Sequence, residues 1–185
     1  MPRSKMRSGR LRDLILIALF AALLALCSWI ALPFFTLPVT MQTFALFCCI
    51  GILGMRRSLC AVLLYLALGF IGLPVFSGMA GGFAVLLGPG GGYLIGFLLL
   101  VLVAGGFTRL FSSCHFASVL GMVLGLLVCY LVGTLWYMFV WAGTGEPMGF
   151  IAATTVCVLP YILPDLCKLA LALAVSHAVR RHISV

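Results

Sequence analysis

The sequence predicts an all-α integral membrane protein, a bundle of six transmembrane helices with both termini cytoplasmic. Three observations carry that prediction. Of 185 residues, 65% are hydrophobic and only 8% charged, against roughly half and a quarter in soluble domains. Mean hydropathy is +1.33, more apolar surface than a soluble domain of this length can bury. Ten of the 11 basic residues fall at the chain ends and on alternate connections between apolar runs. A water-soluble enzyme and a secreted disulfide domain are excluded. A bilayer span takes about 20 residues, so the chain holds six spans, short connections and no second soluble domain.

Each element follows in order. Residues 1–13 are a basic N-terminal segment, and 14–185 form a single six-helix domain. The first span covers 14–32 and ends at Pro33-Phe34-Phe35-Thr36-Leu37-Pro38. It begins like a secretory signal but is long enough to span and lacks a small-x-small cleavage site, so it is expected to stay. The second span covers 39–55, closed by Arg56 and Arg57, and the third covers 58–73. A Gly-rich connection over 74–92 leads to the fourth span at 93–108, closed by Arg109, and to the fifth at 116–141. A linker over 142–158 precedes the last helix, which ends near residue 180. Proline suits the first helical turn, where its missing N–H costs nothing. Pro164 is therefore read as starting that helix, with Asp165 a first-turn acid favoured by the helix dipole.

With six spans, Arg3, Lys5, Arg7, Arg10, Arg12, Arg56, Arg57, Arg109, Arg180 and Arg181 fall on one side. A Lys/Arg excess marks the cytoplasmic side. Topology thus accounts for these charges, and no nucleic-acid partner is expected. The opposite connections carry Glu146 and, in or beside them, Pro33, Pro38, Pro74, Pro89, Pro147, Pro160 and Pro164. Of 21 glycines, 12 lie between Gly69 and Gly106. Non-helical backbone at membrane depth is tolerated only where protein buries it or a cavity is lined by it. A ligand site is therefore expected to open outward.

Three motifs invite other readings and do not support them. Cys27, Cys48, Cys49, Cys60, Cys129 and Cys167 lie within spans, form no C-x-x-C pair, and read as small buried hydrophobes rather than metal ligands. Gly88-Pro89-Gly90-Gly91-Gly92 lacks the Gly-Lys-Ser/Thr ending of a phosphate loop, so the chain has no ATPase of its own. His115, His177 and His182 sit near span ends, and the acids are only Asp13, Glu146 and Asp165. No catalytic constellation can be assembled; neither enzyme activity nor a cofactor is expected.

One basic residue remains. Lys168 lies three residues after Asp165, on the same helical face. Intramembrane charges usually face an internal cavity and mark substrate paths. Either the two neutralise each other near the outer headgroups or they line an outward pocket. Other polar candidates are Thr40, Gln42 and Thr43 at the start of span two, and Ser77, Gly82 and Tyr93 in or after the Gly-rich connection. Thr and Gln there serve a helix start or a ligand; the glycines serve tight packing or let backbone reach a small molecule. Phe35, Phe76, Phe83 and Tyr93 offer aromatic walls. Ala18, Ala21, Ala22 and Ala25 give two overlapping small-xxx-small pairs, for packing within the bundle or against a partner helix.

Four segments, in this order and over nearly the whole chain, resemble the BioY family, the biotin-binding S-components of energy-coupling-factor (ECF) transporters. They are Pro38-Val39-Thr40-Met41-Gln42-Thr43-Phe44, Gly69-Phe70-Ile71-Gly72-Leu73-Pro74-Val75-Phe76, the run from Gly88 through Gly92-Tyr93-Leu94 with Gly96-Phe97, and Leu159-Pro160 to Asp165-Leu166-Cys167-Lys168. The resemblance implies an S-component-like six-helix bundle, capture of biotin from outside, and contact of Asp165 and Lys168 with biotin. It also implies docking, through the alanine face, onto a transmembrane coupling protein driven by two ATPases. Three departures stand out. Leu163-Pro164 replaces the family's Pro-Gly before the aspartate, Gly90 stands where the family has threonine, and Ser77-Gly78-Met79 stands where some members have asparagine. Biotin's carboxylate, ureido N–H groups and apolar bicycle suit one ammonium, one carboxylate, a few hydroxyl and amide groups, and aromatic walls. The other readings are an S-component for another vitamin, such as riboflavin or niacin, and a membrane scaffold that transports nothing.

Overall fold

A computed structural model describes residues 3–32, 37–111, 115–143 and 148–182. Pro33, Phe35, Cys114, Glu146 and Pro147 lie outside the described residues. The described chain is helical throughout apart from one two-residue hairpin and short connections. Its helices are α1 (Arg3–Trp29), α2 (Gln42–Leu53), α3 (Met55–Phe70), α4 (Phe83–Leu87), α5 (Gly91–Leu110), α6 (His115–Ala142), α7 (Phe150–Cys157) and α8 (Leu159–His182). Strands β1 (Ala31–Leu32) and β2 (Val39–Thr40) pair antiparallel between α1 and α2, with Ala31 opposite Thr40.

The described residues hold eight helices where six spans were expected. Four are long and apolar enough to cross a bilayer, over Gly9–Trp29, Gly91–Leu110, Phe116–Ala142 and Leu159–Arg181. Helix α2 has 12 residues and α3 has 16, or about 18 and 24 Å at 1.5 Å per residue. The expected second span is shortened because its first residues form β2 and a turn. What remains is buried on nearly every side by other helices, from Ala45 through Ile50 in an unbroken run. A helix so enclosed meets protein rather than lipid, and its length is freed from bilayer thickness.

The α2–α3 joint is a single residue. Gly54 has φ +74°, a left-handed conformation that costs a glycine little. Its N–H donates to the Ile50 carbonyl, and Ser58 Oγ donates to the Gly54 carbonyl at 2.8 Å. Arg56 and Arg57, expected between two spans, thus lie in the first turn of α3. Arg57 pairs with Asp13 on α1 at 2.9 Å. The basic segment itself continues α1, which is helical from Arg3.

Helices α5 and α6 pack at close range. A Cβ on Gly125 would stand 2.8 Å from the Leu100 carbonyl oxygen, and one on Gly96 would stand 2.8 Å from Cys129 Sγ. Small residues at such crossings let backbones approach where lipid gives helices no hydrophobic reason to associate. The bundle's outward face is apolar, with Leu131, Leu135 and Phe139 exposed on α6 and Leu14, Leu19 and Leu26 on α1. That surface suits a hydrocarbon surround.

The 142–158 linker contains α7, which buries Ala153 and Cys157. One expectation near the C-terminus is corrected. The last helix begins at Leu159 rather than Pro164, which lies inside it. Pro160 takes the first-turn place where a missing N–H is harmless. Pro164 leaves the Pro160 carbonyl without its N–H four residues on, an omission that membrane helices tolerate.

Candidate ligand-binding cavity

A cavity of about 410 Å³ opens between the α5–α6 pair and the α2–α8 pair, within the size range of small-molecule sites. Leu37 to Thr40 and the start of α2 form one wall, Phe76 and Ser77 another. Tyr93, Leu94 and Phe97 project from α5, and Leu126, Cys129 and Tyr130 from α6. Tyr161, Asp165 and Lys168 close the fourth side, from α8.

Asp165 is the centre of its polar chemistry. It lies in the second turn of α8, so the helix N-terminus is not what holds its charge. Three donors do. Lys168 Nζ and Thr43 Oγ1 each donate to Asp165 Oδ1 at 2.8 Å, and Tyr130 OH donates to Oδ2 at 2.6 Å. Lys168 Nζ also donates to Thr43 Oγ1 at 3.3 Å. The side chains of Lys168 and Asp165 keep 10% and 6% of their exposure. Such a pair escapes a heavy desolvation penalty only if its hydrogen-bonding capacity is used. Here four helical residues from α2, α6 and α8 supply it.

A second network fixes the start of α2. Thr40 Oγ1 donates to Gln42 Oε1 at 2.9 Å, and Gln42 Nε2 donates to the buried Tyr65 hydroxyl. Tyr93 OH donates to the Cys157 carbonyl at 3.1 Å, linking α5 to α7. Tyr161 OH accepts from the Leu37 N–H at 3.2 Å and donates to the Leu37 carbonyl. The Gly-rich connection is pinned from outside: Trp29 Nε1 donates to the Pro74 carbonyl at 2.9 Å and Trp136 Nε1 to the Gly88 carbonyl at 3.0 Å.

The structure brings Asp165, Lys168, Thr40, Gln42, Thr43, Phe76, Ser77 and Tyr93 to this one cavity. Gly82 and Phe83 do not line it. Gly82, at φ +96°, serves a turn and donates its N–H to the Gly69 carbonyl at 2.7 Å. Phe83 is 56% exposed and packs edge-on against Phe70. Gly90 does line the cavity, and a Cβ there would meet nothing within 4 Å. Sequence reasoning missed Tyr130, Tyr161, Cys129 and Cys157. The four alanines share one face of α1 and split by burial: Ala21 and Ala25 are buried, whereas Ala18 and Ala22 are exposed at its edge.

Comparison with known proteins gives consistent matches. The model of the BioY family matches residues 2–185. The biotin transporter BioY2 of Lactococcus lactis is 39% identical over 177 residues, 93% of this chain and 96% of its own length. The biotin transporter BioY of Thermotoga maritima is 33% identical over 171 residues, 92% and 97% of the two chains. A crystal structure of the S-component for biotin from an ECF-type ABC transporter superposes with a TM-score of 0.82 at 26% identity, covering 94% of this chain and 93% of that one.

Proposed function

The chain belongs to the BioY family, and from that premise we propose that it takes up biotin as the substrate-binding subunit of a cell-membrane transporter. The observation that carries this reading is the Asp165–Lys168–Thr43–Tyr130 network in a cavity otherwise walled by apolar side chains. Two of the three ammonium hydrogens of Lys168 are engaged within it. The third is left for an acceptor on the ligand. Asp165 accepts from three donors and has oxygen lone pairs left that can take an N–H from a ureido ring. Phe76, Leu94, Phe97 and Leu126 suit an apolar bicycle.

The topology proposed is six membrane-embedded segments, counting the short α2 and α3, with both termini cytoplasmic. Arg56, Arg109 and Arg180 then lie on the inner side and the cavity opens outward. The partners are a transmembrane coupling protein and its ATPase subunits. They meet the exposed Ala18–Ala22 side of α1, while Ala21 and Ala25 pack inside the bundle.

Equilibrium binding of labelled biotin to the purified protein, without ATP, tests the assignment. Saturable binding that riboflavin and nicotinate do not displace is expected. Binding of a flavin or nicotinate in place of biotin would overturn the vitamin assignment, and binding of none would favour a scaffold.

A further inference from the structure

A second cavity, of about 490 Å³, lies at the opposite end of the same helices, with Ile50, Val119, Met122 and Leu173 in its wall. Ser176 Oγ, buried and without a hydrogen-bond partner among the described residues, is sealed against Gly51 at the α2–α8 contact. The ligand cavity is backed differently. A chain of buried polar groups leaves it, crosses three helices and returns to it.

The chain starts at Gln42 on α2, which lines the cavity and is 5% exposed. Gln42 is the only glutamine in the sequence, and the sequence contains no asparagine. Thr40 Oγ1 donates to its Oε1 at 2.9 Å, and its Nε2 donates to the Tyr65 hydroxyl on α3. That hydroxyl has a second hydrogen-bonding side chain beside it, Ser28 on α1. Ser28 Oγ in turn reaches the Val75 carbonyl at 2.6 Å and the Ala25 carbonyl at 2.7 Å. Val75 precedes Phe76, which lines the cavity again. Tyr65 and Ser28 are both 0% exposed, and neither lines the cavity.

Counting hydrogens gives the chain one direction. A serine or tyrosine hydroxyl has one hydrogen, and a carbonyl can only accept. Ser28 gives its hydrogen to a carbonyl and so accepts from Tyr65. Tyr65, its one hydrogen directed at Ser28, accepts from Gln42. The Gln42 amide is therefore held with its nitrogen toward Tyr65 and its oxygen toward Thr40. A turned-over amide would set its oxygen against a hydroxyl with no hydrogen left to give. The second hydrogen on Nε2 has no partner among the described residues.

We propose that Ser28 and Tyr65 are positioning residues for the ligand: they fix the sense of the Gln42 amide, so that it offers an N–H to an acceptor oxygen of biotin. The identity of that acceptor rests on the biotin reading; the sense of the amide rests on the network alone. Because Gln42 is the one side-chain amide, isotope-labelled glutamine in the full-length protein in detergent gives a single NH2 pair by NMR. Biotin should shift one of the two hydrogens. Tyr65→Phe and Ser28→Ala, each removing one oxygen, should shift the other without any ligand. An amide pair indifferent to both substitutions, or to bound biotin, would overturn the inference. In a titration, Tyr65→Phe should weaken biotin binding about fivefold, the scale of one neutral hydrogen bond. In a Gln42→Ala background it should weaken binding no further, since the two residues act as one unit. Equal weakening in both backgrounds would mean that Tyr65 serves the fold and not the amide, and would also sink the proposal. Wild-type protein that binds no biotin, yet shows the amide shift in Tyr65→Phe, would count against the vitamin assignment alone.

Discussion

The two cavities share α2, α5, α6 and α8 and differ little in size, about 410 and 490 Å³. They differ in how their polar groups are held. At one end, Asp165, Lys168, Thr43 and Tyr130 hold one another in place before any ligand arrives. At the other, Ser176 has no partner. Volume therefore says little about which cavity recognises a substrate. Selective binding needs polar groups fixed in advance, because a ligand that must first order its own site loses affinity in doing so.

The largest effect that sharpens this contrast is expected at the ion pair. Lys168→Met strands a buried carboxylate and should cost about 3–5 kcal/mol of stability, read by thermal unfolding, together with loss of biotin binding. Asp165→Leu with Lys168→Met should recover most of that stability, since an apolar replacement of a buried pair is often neutral, but not binding. Recovery of both would break the assignment of the pair to the ligand. Next, Tyr130→Phe removes a hydrogen bond to a charged acceptor, worth about 1.5–3 kcal/mol, and should weaken biotin binding measurably in a titration. At the other end, Ser176→Ala removes an orphan hydroxyl and should leave the protein as stable or slightly more so, by about 1 kcal/mol at most, read by thermal unfolding. The smallest effect on stability is expected for Ala22→Leu, within about 0.5 kcal/mol for an exposed site. Uptake by the assembled transporter should nevertheless fall, because the enlarged side chain would stand where the partner helix is proposed to dock. Unimpaired uptake would remove Ala22 from the docking face.

Asp165 and Lys168 were legible in the sequence because an ionisable residue in so apolar a chain is conspicuous and expensive. Thr40, Gln42 and Thr43 were legible as the polar start of an apolar helix. Tyr130 was not: a tyrosine within a span looks the same whether its hydroxyl meets a carboxylate or a headgroup. Phe83 was misjudged for the converse reason, since a glycine-rich neighbourhood does not say which way a ring turns. Pro164 misled because proline is commonest at helix starts, and Pro160 already occupied that role. The α2–α3 joint lies before the arginines rather than at them because Gly54, and not charge, permits the turn. The alanines could not be divided by spacing alone; burial divides them.

The close α5–α6 crossing has one further consequence. Tyr93 and Phe97 on one helix and Leu126 and Tyr130 on the other stand on backbones that touch at Gly96 and Gly125. With only hydrogen on Gly96 and Gly125 where they meet Cys129 and Leu100 of the facing helix, the pair acts as a splint. The width of the ligand cavity on that side is thus set largely by main-chain spacing. A ligand bulkier than the cavity finds little give there, so discrimination by size is built into the helix crossing.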